Sequence, residues 1–548
     1  MHALADLLAE RVSSGLKRKS ITLPSKWAEQ YRVMGQPYPG PWTFDRHPWL
    51  RGMHDSTAEF NVGQKAAQMG FTETVLNITF FYIDIHGVDC LYVLPAKTPD
   101  ASDFSAARFD PAIDFSPHLQ NIFSDVKNVG HKRAGNTNLY IRGSKSRSGL
   151  KSVPVGVLIL DEKDEMKQEN IPLARERQSG YSMTLTWEIS TPTVDEIGIN
   201  ETFRTSTQES FHFKCPGCSR HINLEFPRNM VICGEHSEDP AIAGTHLKCH
   251  RCGKKLEHAE KRHFLRNGIW VPEVKQVSMR GFGISQMYSS SEKARPDRFI
   301  KSYFLAQTNP ADEQEFHNSK LGMPHIVEGA RVTDKEIKAC YGDHVKEEGA
   351  EGLVTMGVDV GSFLHFEIDK WTIPSGSGPD INTYARCKLV REGKVVDFEE
   401  LDKLMEDYNI RHAVVDMQPE RRKAEEFARR WWGRVNLCFY ARGITGKSIH
   451  VNEDELQVNV DRTSWLDLSL GRFRSKSIIL PRDLSAEYKA HAKALVRIYE
   501  KDADDNPVGK YVKGTNAHDH FAHARTYSEI ALPLAASIGA VQDTESPA

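Results

Sequence analysis

The chain has 548 residues, of which 39% are hydrophobic and 26% are charged, and its formal net charge is -3. This length exceeds the ~250–300 residues at which one hydrophobic core stops growing, so two or more domains are expected. The composition excludes a fibrous or wholly disordered protein. The most prominent apolar stretch, residues 153–160, is shorter than the ~20 residues of a membrane-spanning helix. The first residues lack the layout of a signal peptide, so we expect a cytosolic protein that does not engage a membrane.

The cysteine count bears on disulfides and metal binding, and the net charge bears on a nucleic-acid partner. Nine cysteines, an odd number, argue against a disulfide framework and favour metal ligation or buried thiols. The nearly balanced charge does not by itself indicate a nucleic-acid partner. A DNA-binding channel requires only a local basic surface, so a DNA partner stays open.

The first half of the chain alternates strands with helices, which predicts βαβ units and a parallel sheet. Residues 1–55 are predicted to form a short N-terminal helix and a lead-in segment, and residues 56–325 a first α/β domain. The predicted elements of this domain are a strand over 59–63, a loop over 65–71, a helix over 72–82, and further strands over 90–95, 155–162 and 185–192.

The segment between the first strand and the first helix contains the parts of a phosphate-binding loop in an altered order. Such a site needs backbone N–H groups at a helix N-terminus, a lysine for the phosphates and a hydroxyl for magnesium. Gly70 supplies a tight turn, Thr72 opens the helix, and Lys65 is the only lysine. Phe71 occupies the place of the usual lysine. A glycine-bearing loop before a helix is common, so a purely structural role stays open.

A later apolar strand, V-L-I-L-D-E, ends in two carboxylates, Asp161 and Glu162. A buried strand gains nothing from such an end unless the carboxylates meet a cation. In phosphate-loop enzymes the first acid holds magnesium through water and the second polarises the attacking water. The alternative is a strand that runs into an acidic helix start. The next strand ends in S-T-P-T, whose Ser190 and Thr191 could sense the γ-phosphate or form only a turn.

Two C-x2-C pairs with 30 residues between them lie in a stretch, about 211–275, that is rich in cysteine, histidine and proline. Each pair forms a knuckle, and four thiolates satisfy tetrahedral zinc. We therefore predict a zinc ribbon inserted into the first domain, with a redox role as the alternative. The predicted zinc ligands are Cys215, Cys218, Cys249 and Cys252.

The character of the chain changes again after the first domain. Residues 326–352 are charged and weakly patterned, which predicts an interdomain linker. A second α/β domain is predicted over 353–535, and the final residues, 536–548, are predicted to form a disordered tail.

Three aspartates of the second domain stand at suggestive positions. Asp359 lies within an apolar strand, Asp416 ends a strand, and Asp519 lies on a helix. His520 follows Asp519, and His523 stands one helical turn further on. Buried carboxylates that hold two divalent ions ~3.5–4 Å apart are the requirement of a two-metal nuclease. Each aspartate alone could be a capping or hydrogen-bonded carboxylate, but together they predict a catalytic site for Mg2+ or Mn2+.

A basic cluster follows the second of these aspartates. Such a cluster could contact phosphates, and a solvated helix face is an equally good interpretation for each residue. Its members are Arg421, Arg422, Lys423, Arg429, Arg430 and Arg434, interleaved with Trp431 and Trp432.

The order of these motifs resembles that of the large terminase subunit of tailed bacteriophages, specifically the lambda-type gpA family. The resemblance includes the segment F-H-N-S-K-L-G-M-P at 316–324 and covers roughly residues 25–530. It implies an N-terminal P-loop ATPase of the ASCE type, with a parallel sheet and an inserted zinc ribbon. It also implies a C-terminal RNase H-like nuclease domain. The implied cofactors are ATP, Mg2+ or Mn2+, and Zn2+.

The resemblance also implies roles for individual residues. Glu162, Asp359, Asp416 and Asp519 match catalytic acids, and Arg108 and Arg175 resemble family arginines. Glu73 follows Thr72 at a position where some family members carry a lysine. Lys65 is therefore the one lysine of this loop that would contact the phosphates. The residues matched to nucleotide binding are Lys65, Gln68, Gly70, Thr72, Asp161, Ser190 and Thr191.

The implied activity is ATP-driven packaging of viral DNA into a procapsid, with metal-dependent cutting of concatemeric DNA, in the host cell cytoplasm. The implied partners are double-stranded DNA, the portal protein, a small terminase subunit and further copies of the chain in a ring on the portal. Two alternatives stay open. One is a zinc-containing DNA-binding assembly protein with a degenerate motor, which the displaced lysine motivates. The other is a zinc-ribbon transposase or integrase, against which the phosphate loop argues.

Overall fold

The computed structural model describes residues 21–123, 126–151, 153–347, 349–374, 380–441, 443–501, 507–514 and 517–542. The first 20 residues, where the N-terminal helix was predicted, lie outside this part. The chain divides into two compact units. The first comprises Met1–His325 together with the short stretch Glu500–Pro507, and the second comprises Ile326–Tyr499 and the residues from Val508 onward.

The first unit contains sixteen strands among its described residues. They are β1 (Val33–Met34), β2 (Gly40–Pro41), β3 (Phe60–Lys65), β4 (Cys90–Leu94), β5 (Val126–Asn128), β6 (His131–Ala134), β7 (Thr137–Gly143), β8 (Val157–Asp161), β9 (Leu185–Ser190), β10 (Glu209–Lys214), β11 (His221–Ile222), β12 (Met230–Val231), β13 (His246–Lys248), β14 (Lys255–Leu256), β15 (Ile269–Val271) and β16 (Arg280–Ile284).

The α-helices of the first unit are mostly short, and 3-10 and π-helical turns extend or connect them. They are α1 (Pro24–Tyr31), α2 (Leu50–His54), α3 (Phe71–Phe81), α4 (Ser102–Phe104), α5 (Asp110–Phe115), α6 (Pro117–Ile122), α7 (Arg147–Lys151), α8 (Ile171–Arg175), α9 (Gly198–Arg204), α10 (Lys261–Leu265), α11 (Pro296–Ala306) and α12 (Pro310–Glu315).

An eleven-stranded sheet forms the centre of the first unit. Its order is β11-β10-β16-β3-β9-β8-β4-β7-β6-β5, and β15 pairs with β10. The seven strands from β10 to β7 in this order run parallel. Because β3, β9 and β8 are parallel neighbours, their carboxyl ends meet at one edge of the sheet. This edge is where open α/β sheets place their ligands.

The cysteine-rich stretch is joined to this sheet more closely than the sequence indicated. Strands β10 and β15, at the two ends of the predicted insertion, pair with each other and belong to the main sheet. Only β12, β13 and β14 form a separate, antiparallel sheet. The apolar residues Phe211 and Phe213 of β10 are buried, which explains why the strand joins the core.

The second unit contains ten strands and seven helices among its described residues. The strands are β17 (Leu353–Val360), β18 (Leu364–Thr372), β19 (Arg386–Val395), β20 (His412–Asp416), β21 (Val435–Tyr440), β22 (His450–Asn452), β23 (Gln457–Val460), β24 (Ile478–Ile479), β25 (Val496–Lys501) and β26 (Pro507–Val512). The helices are α13 (Asp334–Ala339), α14 (Ile381–Tyr384), α15 (Phe398–Asp407), α16 (Arg421–Arg430), α17 (Arg462–Ser475), α18 (Ala486–Ala494) and α19 (His520–Gln542).

A mixed eight-stranded sheet forms the core of the second unit, in the order β22-β23-β21-β20-β17-β18-β19-β24. Strands β17, β18 and β19 form an antiparallel meander, and β17, β20, β21 and β23 run parallel. The long helix α19 packs on β17, β18 and β20. The sheet and this helix carry most of the residues discussed below.

The segment predicted as a linker, residues 326–352, belongs to the second unit instead. It contains α13, which begins with a capping box formed by Thr333 and Glu336. Val332, Ile337 and Cys340 are buried in a core cluster of this unit. The charged side chains of this segment stay on its outer face, while its few apolar side chains face the core. Because those apolar side chains are buried, the segment is a packed part of the unit.

The disordered tail predicted over residues 536–548 is in part helical in the structure. Helix α19 continues to Gln542, and residues 543–548 lie outside the described part of the chain. Within the described ranges, none of the helices combines the length and the apolar character that crossing a bilayer would require.

We predict that Gly357→Ala destabilises the second unit. A Cβ atom on Gly357 of β17 would lie 1.9 Å from the carbonyl oxygen of Ala524 and 2.2 Å from the amide nitrogen of Ser528, both in the backbone of α19. Overpacking typically costs about 1–3 kcal/mol, and here neither backbone can rotate away. Urea unfolding should show a loss of at least about 2 kcal/mol.

The matched control is Gly361→Ala, just beyond the same strand. Its new Cβ would meet no atom closer than 3.6 Å, so we expect a change within about 0.5 kcal/mol. Equal unfolding midpoints for the two variants would contradict the close packing of α19 on β17.

Candidate functional site

The predicted phosphate loop connects β3 to α3 in the first unit. Strand β3 continues to Lys65, two residues further than predicted, and α3 begins at Phe71. Gln68 and Gly70 have positive φ values of 62° and 81°, which turn the chain into the helix. The Ala66 and Ala67 amides donate to the carbonyl oxygens of Ile284 and Ser319 at 2.9 Å each. The loop is therefore anchored at its first half, ahead of the helix N-terminus.

Lys65 reaches the acidic strand end from the displaced position that the sequence indicated. Its Nζ donates to Glu162 Oε1 at 2.8 Å and lies 3.4 Å from Thr191 Oγ1. The Lys65 side chain is 7% exposed, whereas that of Glu162 is 41% exposed. Glu162 has a left-handed backbone, with φ 59°. The structure thus places a buried ammonium group beside the carboxylate that follows β8.

Asp161, the last residue of β8, is buried in the same place. Its carboxylate accepts hydrogen bonds from Tyr92 at 2.5 Å and from Thr72 Oγ1 at 3.4 Å. Burial, and next the negative charge of Glu162, raise the pKa of Asp161 to about 7. A divalent cation would remove this electrostatic penalty. Asp161 and Thr72 are the groups that could hold magnesium, one through its carboxylate and the other through its hydroxyl.

Ser190 and Thr191 join the same group of residues. Ser190 Oγ lies 3.5 Å from Glu162 Oε2 and accepts a hydrogen bond from the Asp164 amide at 3.2 Å. The structure therefore brings together Lys65, Thr72, Asp161, Glu162, Ser190 and Thr191, which stand on three neighbouring strands and one helix.

Asp164 is a residue of this region whose role sequence reasoning missed. Its carboxylate accepts hydrogen bonds from the amide and hydroxyl of Thr193, at 2.8 and 2.9 Å, and from the Ile199 amide at 2.7 Å. Burial raises its pKa to about 6. Asp164 belongs to the acidic run D-E-K-D-E, which could have indicated a buried acid. The run is equally typical of an exposed helix start, so the sequence did not single this residue out. Asp164 ties the S-T-P-T segment to the residues that follow β8.

The two arginines of the first unit have different surroundings. Arg108 is half exposed, lies 3.5 Å from Glu73, and lines a cleft of about 510 Å³ that Glu162 and Lys145 also line. Arg175 forms an ion pair with the fully buried Glu188, which also binds Lys163 at 2.7 Å. Arg108 is therefore near the acidic strand end, and Arg175 neutralises a buried acid.

The four predicted cysteine ligands converge. One sulfur atom of each lies within 4.8 Å of the others, and Sγ of Cys215 is 3.8 Å from that of Cys252. The four residues are Cys215, Cys218, Cys249 and Cys252. Cys233, which lies between the two pairs in the sequence, is outside this cluster.

The two C-x2-C turns have matching hydrogen bonds. In the first, the Cys215 amide donates to Arg220 and Gly217 N–H points to the Cys215 sulfur at 3.3 Å. In the second, the Cys249 amide donates to Lys254 and Arg251 N–H points to the Cys249 sulfur at 3.4 Å. N–H groups directed at sulfur stabilise thiolates, which are the form that binds zinc. The four residues fit a structural zinc ion.

The three predicted acids of the second unit occupy the sheet and α19. Asp359 lies in β17, Asp416 ends the adjacent parallel strand β20, and Asp519 directly precedes α19. Burial, opposed by a backbone amide and aided by the charge of Asp359, raises the pKa of Asp416 to about 6. Burial also raises that of Asp519, but hydrogen bonds from His523 and Lys513 outweigh it and hold the pKa well below its usual range.

Another group of possible metal ligands has its ligand atoms closer together than the three aspartates do. Among the described residues of the second unit, the set of three whose ligand atoms all lie within 4.8 Å of one another is Asp359, His365 and His520. Sequence reasoning missed His365, although its strand alternates polar and apolar residues. That Asp359, Asp416 and Asp519 share one or two metal ions stays a prediction.

Buried ion pairs join α19 to β18 and α17 next to these possible ligands. Arg525 of α19 binds Glu367 at 2.8 Å and Asp369 at 2.6 Å, both in β18. Arg525 also binds Glu529, which Arg472 of α17 binds in turn. All of these side chains are at most 3% exposed. They hold α19, which carries His520, against the strand that carries His365.

The basic cluster of α16 is largely paired with acids. Arg421 and Arg422 bind Glu425 and Glu426 one turn away, and Arg430 binds an aspartate of α15. These pairs favour the interpretation as a solvated helix face.

A family model and solved structures match this chain. The model described as "Phage terminase large subunit gpA, ATPase domain" matches residues 36–270. Residues 36–270 are thus similar to the ATPase domain of the gpA family of phage terminase large subunits. The matched range includes the residues of the phosphate loop, the acidic strand end and the four cysteines. No curated protein sequence matches the chain significantly.

The crystal structure of the HK97 bacteriophage large terminase matches with a TM-score of 0.51 and 12% identity, over 92% of this chain and 98% of that chain. This likeness concerns the fold alone, and it confirms the predicted fold class, an α/β domain with a large parallel sheet followed by a second α/β domain. The Thermus phage P74-26 large terminase ATPase domain matches 50% of this chain and 92% of its own, with a TM-score of 0.30 and 13% identity. The large terminase nuclease of phage G20c matches 36% of this chain and 97% of its own, with a TM-score of 0.22 and 13% identity.

We predict that Lys65→Ala lowers the kcat of ATP hydrolysis at least about 100-fold, because no other ammonium group contacts Glu162 and Thr191 in the described residues. Glu162→Gln should bind ATP normally but lose turnover to a similar extent, since the amide cannot accept a proton or polarise water. Hydrolysis is measured by phosphate release and binding by a fluorescent ATP analogue.

The matched control is Lys26→Ala, a lysine of the same unit whose side chain is 61% exposed. Its turnover should equal that of the wild type. Full turnover by Lys65→Ala would show that Lys65 is not the phosphate-binding lysine. Full turnover by Glu162→Gln would show that this carboxylate takes no part in the catalytic step.

We predict about one zinc ion per chain, retained through native dialysis against a chelator because the four-thiolate site has no open position. Cys215→Ser should lose the zinc and lower the thermal unfolding midpoint by several degrees, while Cys233→Ser should keep both. Metal analysis and thermal unfolding measure the two effects. A zinc-free wild type, or a Cys233→Ser variant that loses zinc, would contradict the assigned ligand set.

Proposed function

We propose that this chain is an ATP-driven DNA-packaging motor and a metal-dependent DNA endonuclease. The observation that carries the proposal is the convergence of Lys65, Asp161 and Glu162 at the carboxyl edge of the parallel sheet, within the range that the terminase family model matches. We assign the first compact unit to ATP hydrolysis and the second to DNA cleavage.

The arrangement in the first unit supports a nucleotide-triggered release of Glu162. Lys65 holds Glu162 in an ion pair at 2.8 Å. Phosphate oxygens at the helix N-terminus would compete for Lys65. Glu162 is then free to orient a water molecule and accept its proton. Magnesium at Thr72 and Asp161 would supply neutralisation of phosphate charge. Ser190, within reach of Glu162, links this event to the S-T-P-T segment that Asp164 anchors.

The second unit supports the nuclease part of the proposal through its buried acids. Asp359 and Asp416 end or occupy adjacent parallel strands, and the charge of Asp359 contributes to the raised pKa of Asp416. A divalent cation would stabilise the ionised form of Asp416, whose pKa burial and the charge of Asp359 raise. Such a cation would supply an activated water and stabilise the leaving oxygen of a phosphodiester. Asp416 is the acid that would hold the cation or take up a proton from the attacking water.

The proposed partners follow from the proposed activity. They are double-stranded DNA as substrate, the portal protein of a procapsid as docking site, a small terminase subunit, and further copies of this chain in a ring on the portal. The place of action would be the host cell cytoplasm, where concatemeric viral DNA and procapsids meet.

A plasmid digestion with Mg2+ or Mn2+, with and without ATP, tests both parts together with an ATPase assay. We predict that Asp359→Ala and Asp416→Ala each abolish cleavage, because too few oxygen ligands remain for the metal ions. ATP hydrolysis should stay within about twofold of the wild type, since those residues lie in the other unit.

The matched control is Asp343→Ala, which removes a fully exposed aspartate of the same unit and should leave cleavage unchanged. Cleavage by Asp359→Ala would refute the proposed nuclease site. A wild type that binds DNA but neither hydrolyses ATP nor cleaves would instead support an assembly protein with a degenerate motor.

A further inference from the structure

Asp359, His365 and His520 form a compact group with mixed ligand chemistry. Asp359 in β17 and His365 in β18 stand directly opposite each other in the antiparallel pair. His520 opens α19, its Nδ1 donates to Asp359 Oδ2 at 2.8 Å, and its ring stacks on that of His365 with centroids 4.5 Å apart. One carboxylate oxygen and one nitrogen from each imidazole lie within 4.8 Å of one another.

The surroundings of His365 provide a second, independent observation. His365 is 5% exposed, and its Nδ1 has no hydrogen-bond partner among the described residues. The other ring nitrogen, Nε2, is 3.6 Å from Glu487 Oε1. A buried polar atom without a partner is unfavourable, and such atoms in native proteins commonly mark a place that a bound group completes.

We infer that Asp359, His365 and His520 bind one divalent transition-metal ion through both nitrogen and oxygen atoms. The inference deepens the proposed nuclease function, on which it rests, by naming the kind of metal that the site selects. Metal–nitrogen and metal–oxygen bonds of ~2.0–2.2 Å place the ligand atoms of one ion ~3–3.6 Å apart when they are adjacent and up to ~4.4 Å apart when they are opposite, so small side-chain rotations close the observed group around an ion.

The ligand set determines which metals the site prefers. Magnesium prefers oxygen ligands and near-ideal octahedral geometry. Imidazole nitrogen instead favours ions such as Mn2+, Co2+ and Zn2+ in increasing order of affinity toward the end of the first-row series. Two histidines therefore bias this site toward transition metals, whereas the carboxylates of Asp416 and Asp519 alone would suit Mg2+ equally well.

The experiment uses Mn2+ as the probe, because thiolates bind it weakly and the cysteine site stays silent. The full chain is first dialysed against a chelator under native conditions, and its remaining zinc is measured. Mn2+ is then titrated, free Mn2+ is counted by electron paramagnetic resonance, and the bound ion is examined by electron spin echo envelope modulation. We expect modulation from directly bound 14N in the wild type.

We further expect His365→Ala to weaken Mn2+ binding at least about tenfold and to reduce the 14N modulation. Mg2+ affinity, measured by competition, should change less than about threefold because Mg2+ depends on the carboxylates. The matched control is His450→Ala, an exposed histidine of β22 in the same unit, which should bind Mn2+ like the wild type.

Bound Mn2+ without 14N modulation in the wild type would overturn the inference, and this measurement needs no variant to fold. Unchanged modulation in a folded His365→Ala variant would remove His365 from the ligand set and also overturn it. The proposed function has a separate readout. Cleavage with Mn2+ but no nitrogen coupling refutes the inference alone, whereas nitrogen coupling without cleavage under any metal refutes the nuclease proposal and leaves the metal site standing.

Discussion

Charged side chains that are withdrawn from water must be paired, and this constraint shapes both units of the protein. In the second unit Arg525 is fully buried and binds Glu367, Asp369 and Glu529. In the first unit the buried Glu188 binds Lys163 and Arg175. An unpaired charge at such a depth would cost several kcal/mol, so each pair fixes the position of the elements that carry it.

These pairs hold the residues of the candidate sites in place without belonging to them. Lys163, which binds Glu188, directly follows Glu162, so the pair fixes the chain just beyond β8. Arg525 lies about one helical turn and a half beyond His520 and binds β18, the strand of His365. Sites whose geometry must be accurate are built on rigid elements, and buried ion pairs with specific partners supply that rigidity here.

Lys65 reaches the acidic strand end from the end of β3 and not from the start of α3. Lys65 lies at the end of β3, and its side chain passes beside the neighbouring strands to Glu162 and Thr191. Parallel pairing of β3 with β9, and of β9 with β8, brings the three strand ends together. The ammonium group of Lys65 therefore lies beside Glu162 and Thr191 at this edge of the sheet, although the residue stands at the strand end and not at the helix start.

The sequence by itself determined the features whose signal is local. Apolar strands that end in Asp161 and Asp416, the glycine turn at Gly70 and the two cysteine pairs are each readable within a few residues, and the two-domain fold class follows from their order. Tertiary structure alone decided the features that depend on pairing between distant segments. His365 joins Asp359 only because β17 and β18 pair in one register. Residues 326–352 pack because a few apolar groups find the core of the second unit. Such contacts are set by the balance of burial over many residues, which no local pattern contains.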